Sequence, residues 1–309
     1  MIIRRKDNKK RRIASVGMMD GVHTGHRFLL DFLCAQGRKM HLSPAVITFG
    51  EHPLATVCPE RAPKLLTTPE RKLELLADSG VDDVVVLNFN HRMSRMSAEK
   101  FLEMLHERWG VEAMVVGFNN RFGRDRAEGI DAYRAIGAKM GMTIIEAPEM
   151  TTNQGVPLSS SSIRKALESG QVKCASEMLG YCYRLDGTVV HGQALGRKIG
   201  FPTANVQPVS PRLAVPGAGV YAAWVTTPDG VRRAAMVNIG VRPTVNESMS
   251  GSTIEAHIID YAGCLYDEPV CVEFICRMRE EQKFNGVDEL VAQLRKDEKQ
   301  VREMLSGCN

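Results

Sequence analysis

GMMDGVHTGH, residues 17–26, decides how the amino-terminal half is read. The β-branched run Ile13-Ala14-Ser15-Val16 precedes it, and a helical pattern carrying Phe28, Leu29, Leu30 and Phe32 follows. A turn from strand into helix lies at the carboxyl edge of a parallel sheet, where open α/β folds bind their ligands. Gly21 and Gly25 let backbone approach a ligand, and the new helix offers amides and a positive dipole end to phosphate. His23 and His26, three residues apart, can then face one triphosphate together and stabilise charge that grows as an α-phosphoryl group is attacked. A lone loop histidine is usually a surface residue, so the specificity lies in the paired spacing between strand and helix. The glycine-rich lysine loop of the common ATPases is absent.

Outward from this turn, IASVG (13–17), AVITF (45–49), DVVVL (83–87), AMVVG (113–117) and MTIIE (142–146) alternate with helical patterns, the signature of βαβ units around a parallel sheet. One helix opens at Thr68-Pro69-Glu70, with a capping residue, a proline at the first helical position and an acid in the first turn. Two short helical stretches, 161–169 and 172–180, are expected to end this half. From Tyr183 the pattern changes to strands joined by Gly and Pro turns: 183–192, 219–227, 231–240, 252–260 and 270–278. These predict an antiparallel barrel or sandwich. A last helix over 286–305, with Val287, Leu290, Val291, Leu294, Val301 and Leu305 at helical spacing, is expected to lie against it. The fold class is therefore α/β plus all-β, with domains at 1–182 and 183–309.

At 309 residues, 44% apolar and 25% charged, the chain can bury two cores and is not disordered. No run approaches the roughly 18 uncharged apolar residues of a membrane span, so a cytoplasmic protein without membrane contact is expected. The eight cysteines include no CxxC pair and no histidine at metal spacing, which argues against a zinc site or a redox dithiol. Seven of the first twelve residues are Arg or Lys, but no aromatic residue interleaves with them to stack on bases. They are expected to form a solvated terminus rather than a nucleic-acid interface. Partners are expected to be small molecules, and homo-oligomer formation is compatible with the sequence.

Ser159-Ser160-Ser161-Ser162-Ile163-Arg164 leads into a helix with Ala166 and Leu167. Serines at a helix start are ordinary caps. With Arg164 one turn in, Ser160, Ser161 and the guanidinium also suit phosphate. HTGH together with this terminal Ser-Ser-Ser-x-Ile-Arg resembles the nucleotidyltransferase superfamily. The wider set is similar to the bacterial bifunctional riboflavin kinase/FAD synthetase family: Thr48-Phe49-Gly50-Glu51-His52-Pro53, Leu66-Thr67-Thr68 with Lys72-Leu73-Glu74-Leu75-Leu76, and Val116-Gly117-Phe118-Asn119-Asn120-Arg121-Phe122-Gly123. The resemblance implies a Rossmann-like nucleotidyltransferase domain in which Gly17, Asp20, Gly21 and Gly25, together with Asn119, Ser160, Ser161 and Arg164, contact the adenine and phosphates of ATP. Met19 and Asn120 stand where that family generally has Phe, and Ser162 where the flavin branch often has Arg.

In the second half, Gly196-Arg197-Lys198-Ile199-Gly200-Phe201-Pro202-Thr203-Ala204-Asn205 combines glycines, cations and small polar residues, suiting phosphate and Mg²⁺. Taken alone it is also an ordinary glycine-rich loop. GRKIGFPTAN resembles the signature of riboflavin kinases, and three further stretches follow in family order: Gly219-Val220-Tyr221, Val237-Asn238-Ile239-Gly240-Val241-Arg242-Pro243-Thr244, and Met278-Arg279-Glu280-Glu281-Gln282-Lys283-Phe284. The resemblance implies a riboflavin-kinase-type barrel in which Gly196, Lys198, Gly200, Pro202 and Arg279 contact nucleotide or flavin and Thr203 and Asn205 hold Mg²⁺. In 253–258, period-two alternation puts Ile254, Ala256 and Ile258 on one face and Thr253, Glu255 and His257 on the other. Glu255 matches the family's catalytic base.

The resemblance thus implies that riboflavin and ATP give FMN in the barrel, and that FMN and ATP give FAD and pyrophosphate in the α/β half. Two alternatives stay open. One, motivated by Met19, Asn120 and Ser162, is a riboflavin kinase whose adenylyltransferase domain is weak or inactive. The other is a flavin-responsive RNA-binding regulator using the basic terminus.

Overall fold

The computed structural model describes residues 2–3, 9–117, 122–124, 129–149, 158–192, 195–241 and 252–306. They divide into two compact units, Met1–Pro63 with Pro69–Ser159, and Lys64–Thr68 with Ser160–Asn309.

In the first unit the chain runs β1 (Ile2–Ile3), β2 (Arg12–Val16), α1 (Thr24–Met40), β3 (Ser43–Phe49), α2 (Pro53–Val57), α3 (Pro69–Ala77), β4 (Asp83–Leu87), α4 (Ala98–Trp109), β5 (Val111–Val116), α5 (Gly129–Lys139) and β6 (Thr143–Glu146). The strands form one parallel sheet in the order β1-β4-β3-β2-β5-β6. All five expected strands are present, and β1 adds an edge. The chain steps from β2 to β3 on one side and later to β5 on the other, so β2 sits where the direction of winding reverses. That is the crevice at which doubly wound sheets bind ligands, and residues 17–26 leave the sheet there. Ile13, Ala14 and Val16 are buried, as expected of a central parallel strand covered on both faces.

The second unit continues with α6 (Ser160–Glu168), α7 (Val172–Leu179), β7 (Arg184–Val190), α8 (Leu195–Lys198), β8 (Ala204–Pro208), β9 (Gly219–Thr226), β10 (Arg232–Val241), β11 (Ser252–Ile258), β12 (Pro269–Arg279) and α9 (Val287–Leu305). Its six strands close an antiparallel barrel in the order β10-β11-β8-β7-β12-β9, with β9 pairing β10. Ile254, Ala256 and Ile258 point into the packed interior, while Thr253, Glu255 and His257 face outward, half exposed. The expected alternation of β11 therefore holds. Helix α9 covers part of the outer face, burying Val301 and Leu305 with Phe201, Ala222, Met236 and Ile259. Val287, expected on its apolar stripe, is exposed.

Two expectations are corrected. The division of the chain lies at 159/160 rather than 182/183, because α6 and α7 bury Ile163, Ala166, Leu167, Val172, Ala175 and Leu179 in the core of the barrel unit. Residues 64–68 join that unit too: Leu65 N–H donates to Arg212 O at 2.7 Å, Ala214 N–H donates to Leu65 O at 2.8 Å, and Leu66 enters the same core. Nor is the basic terminus wholly solvated. Arg12 is fully buried with Nε 2.9 Å from Asp83 Oδ2, and Lys10 reaches the same oxygen at 3.0 Å. Arg12 Nη1 also donates to Trp109 O at 2.8 Å, and Arg11 pairs with Glu112. Among the described residues no helix is long and apolar enough to cross a membrane.

Removing one partner of a buried pair leaves the other charge uncompensated. Asp83→Ala is therefore expected to cost about 3–5 kcal/mol, read in urea as a lower unfolding midpoint of the first unit at unchanged slope.

Candidate active sites

The turn after β2 is built from conformations that side chains other than glycine seldom adopt. Met19 has φ 51°, Gly21 φ 78° and Val22 φ 36°. A β-branched residue at positive φ is strained, and such strain persists only where surroundings over-determine it. Here the side chains of Met19 and Val22 are buried, and the Met18 carbonyl ahead of them is held from outside the turn, accepting from Thr48 Oγ1 at 3.0 Å and from Lys72 Nζ at 3.3 Å.

His23 ends the turn and caps α1, its Nδ1 accepting from His26 N–H at 3.3 Å. In a neutral ring that leaves the proton on Nε2, as a donor. The His26 ring stacks on it with centroids 3.7 Å apart and planes 17° from parallel. At Gly25 the space is tight, since a Cβ there would lie 3.3 Å from the His23 ring and 3.1 Å from the Leu158 side chain. Burial, then His23, then the charge of Lys72 push the His26 pKa well below its ordinary value, so the ring is neutral at pH 7. Asp20 is buried at the middle of the turn.

Beside the turn lies a cavity of about 510 Å³ walled by Gly17, Met18, Phe49, Phe89, Met96 and Phe122. Phe49 and Phe89 meet edge to face, with centroids 5.6 Å apart. The expected residues Gly17, Asp20, Gly21, His23, Gly25 and His26 are thus together at one sheet edge. Asn119 and Asn120 lie outside the described residues. Ser160, Ser161 and Arg164 belong to the barrel unit, where Arg164 Nε donates to Lys64 O at 2.5 Å.

On the barrel, Glu255 is the centre of a polar row. It pairs with Asn205 of β8 on one side and Asn238 of β10 on the other, and directly paired residues share a face of the sheet. Thr203 Oγ1 lies 3.5 Å from Glu255 Oε2. A cavity of about 320 Å³ opens between this outer face and α9, lined by Phe201, Thr203, Met236, Glu255, His257 and Leu294 among others. A smaller one of about 80 Å³, with Arg197, Pro202, Tyr261 and Tyr266, also touches Thr203.

Gly196 turns the chain so tightly that a Cβ would fall 2.2 Å from Phe201 O, and Gly200 follows at φ 85°. The Pro202 carbonyl accepts from His257 Nδ1 at 2.8 Å, which ties the 196–203 loop to β11. Lys198, expected at the site, is exposed and lines neither of these two cavities. Arg279 does line the larger one, but its guanidinium is held by the buried Asp297 of α9, Nη2 to Oδ2 at 2.7 Å and Nε to Oδ2 at 3.0 Å.

Lys72, His257 and Asp297 escaped the reading of the sequence as functional groups. For two of them a signal existed: Lys72 precedes the buried Leu75 and Leu76 by three and four residues, and Asp297 precedes the buried Val301 by four. A charge on the apolar stripe of a helix marks a buried partner.

A family model described as FAD synthetase matches residues 5–162, and one described as riboflavin kinase matches residues 179–305. The bifunctional riboflavin kinase/FMN adenylyltransferase of Escherichia coli is 36% identical over 292 residues, covering 94% of this chain and 92% of that protein. Its counterpart in Bacillus subtilis is 32% identical over 305 residues, covering 96% and 93%. The crystal structure of a macrolide-efflux protein from Streptococcus pneumoniae matches with a TM-score of 0.87 at 29% identity over 98% of each chain.

The His26 ring is expected to show no protonation between pH 8 and its ordinary value of 6.5 when followed by imidazole nitrogen NMR. Because the unfolded chain binds that proton more readily, its contribution to stability is complete above pH 6.5 and declines as the pH falls below.

Proposed function

The chain belongs to the bifunctional riboflavin kinase/FMN adenylyltransferase family, an ATP-dependent transferase that makes FMN from riboflavin and FAD from FMN, and we propose how its residues divide that work. The barrel unit carries the kinase reaction and the α/β unit the adenylyl transfer, a division supported by the order of the two family matches. The natural setting is the cytoplasm, with small molecules as substrates.

The observation that carries the kinase assignment is that Thr203 walls both barrel cavities and hydrogen-bonds Glu255. The larger cavity suits the flavin ring, with Phe201, Met236 and Leu294 for its faces and Glu255 at the end where the ribityl chain would arrive. ATP would approach from the side of Arg197 and Pro202, so that its γ-phosphoryl group meets the ribityl hydroxyl near Thr203. As that oxygen bonds to the γ-phosphorus and the β,γ-bridging bond breaks, Glu255 accepts the hydroxyl proton and ADP leaves. Thr203 and Asn205 are neutral oxygen donors flanking Glu255, a set that fits Mg²⁺, which retains several waters. When bound, the ion would neutralise charge on the ATP phosphates. Gly196 and Gly200 shape the loop, and Arg279, held by Asp297, walls the flavin pocket rather than reaching phosphate.

In the first unit, the phosphate of FMN attacks the α-phosphorus of ATP and pyrophosphate leaves. The His23 Nε2–H and the neutral His26 ring stand at the amino end of α1, where donors and the helix dipole favour the growing charge. The cavity walled by Met18, Phe49, Phe89 and Phe122 is a seat for the flavin ring. Met19, buried beneath the turn, leaves that seat to its neighbours. Asn119 and Arg164 are assigned to adenine and phosphate on the family resemblance alone.

Product analysis by chromatography tests the division. Glu255→Gln is expected to abolish FMN formation from riboflavin while FAD still forms from supplied FMN, and His26→Ala to do the reverse, with a loss of about 10²–10³ in the adenylyl-transfer rate. Equal loss of both activities in each variant would overturn the division. Chelation with EDTA is expected to stop phosphorylation, with Mg²⁺ restoring it.

A further inference from the structure

Lys72 lies on α3 and is only 3% exposed. A lysine is buried at a cost unless its ammonium is hydrogen-bonded and paired. Here Nζ donates to Phe49 O at 2.6 Å and to Met18 O at 3.3 Å. These are the carbonyls at the carboxyl end of β3 and at the opening of the turn that follows β2. Thr48 Oγ1 donates to the same Met18 oxygen at 3.0 Å, so that carbonyl is held by two side chains. The positive-φ residues Met19, Gly21 and Val22 come directly after it, and His23 ends the turn.

Charge follows the same line. Asp20, buried in the middle of the turn, attracts the ammonium, and the ammonium in turn acts on His26. Met18 and Phe49 also wall the 510 Å³ cavity. One buried cation therefore reaches both the backbone that sets the histidine pair and the backbone that sets the flavin seat.

We propose that Lys72 is a positioning residue for adenylyl transfer: through the Met18 and Phe49 carbonyls it sets the phosphate turn, and it places a buried positive charge beneath the position of the triphosphate. It rests on the assignment of adenylyl transfer to the first unit made above. A preorganised charge of this kind acts without rearranging during the reaction, and in a low-dielectric setting it is worth more than in water.

The charge has a pH window. Burial pushes the Lys72 pKa down to about 8, with Asp20 opposing the shift. The ammonium is present below that value and lost above it. The titratable groups that face it are Asp20 from the turn and the His23–His26 stack from the start of α1. His26 is neutral throughout this range, so its charge does not change there.

The test uses the full-length protein and Lys72→Met, an unbranched side chain one heavy atom shorter that fills most of the same space and removes the charge. The expected result is a fall of about 100-fold in kcat for FAD formation from supplied FMN, with KM for FMN and ATP changed by no more than about threefold. Riboflavin phosphorylation in the same preparation is expected to match the unaltered protein, which reports that the variant is folded. In the unaltered protein the adenylyl-transfer rate is expected to decline as the pH rises through about 8, and in the variant the residual rate is expected to lack that decline. A variant kcat within about threefold of the original overturns the inference, as does an effect confined to KM. A level profile for the unaltered protein between about pH 7 and 9.5 does the same, and it decides the matter if the variant loses both activities. Absence of FAD formation by the unaltered protein would overturn the site assignment itself, which separates the two failures.

Discussion

The parallel sheet of the first unit ends in buried and half-buried carbonyls and a buried acid, and a buried cation answers them at each end. At the amino ends, Arg12 pairs Asp83 at the start of β4 and donates to the Trp109 carbonyl at the end of α4. At the carboxyl ends, Lys72 holds the carbonyls of Phe49 and Met18. An unsatisfied buried polar group costs as much as a lost hydrogen bond, so neither end is free to shift while the cations stay in place. The strained turn at 19–22 and the histidine stack that follows it depend on that fixity. The site belongs to a turn, but its precision comes from the sheet beneath it.

The barrel solves a different problem. Closure leaves no strand edge, and its interior is packed with apolar side chains, so the polar side chains of the strands face outward. The polar row Asn205, Glu255 and Asn238 crosses three neighbouring strands there. A flat outer face holds no ligand by itself, and α9 supplies the second wall. The ion pair from Arg279 to the buried Asp297, with Gln293 donating to the same carboxylate at 2.7 Å, fixes that helix over the cavity. The bond from His257 to the Pro202 carbonyl holds the glycine-rich loop beside it.

Much of this was legible in advance because it is local. Each β-branched run of 13–146 became a strand, and the period-two pattern of 253–258 separated Glu255 from the barrel core correctly. β8 was not anticipated, since Ala204-Asn205-Val206-Gln207-Pro208 has little intrinsic preference for a strand and is extended by pairing with β7 and β11. Helices α6 and α7 were foreseen as helices but assigned to the wrong core, because an amphipathic pattern states that a face is buried and not against what. Lys198 stands in the phosphate-loop motif, yet its side chain is exposed.

By itself, then, the sequence determined the elements, the two kinds of sheet and the chemistry available at 17–26, 196–205 and 255, because turn geometry, periodicity and residue type act over a few neighbouring positions. Only the tertiary structure decided which core claims residues 64–68 and 160–179, that Arg12 and Lys72 are buried and paired, and that Arg279 is held by Asp297. Those outcomes are set by the competition to satisfy buried charge and apolar surface across the whole fold. Partners such as Arg12 and Asp83, 71 residues apart, carry no local mark of each other.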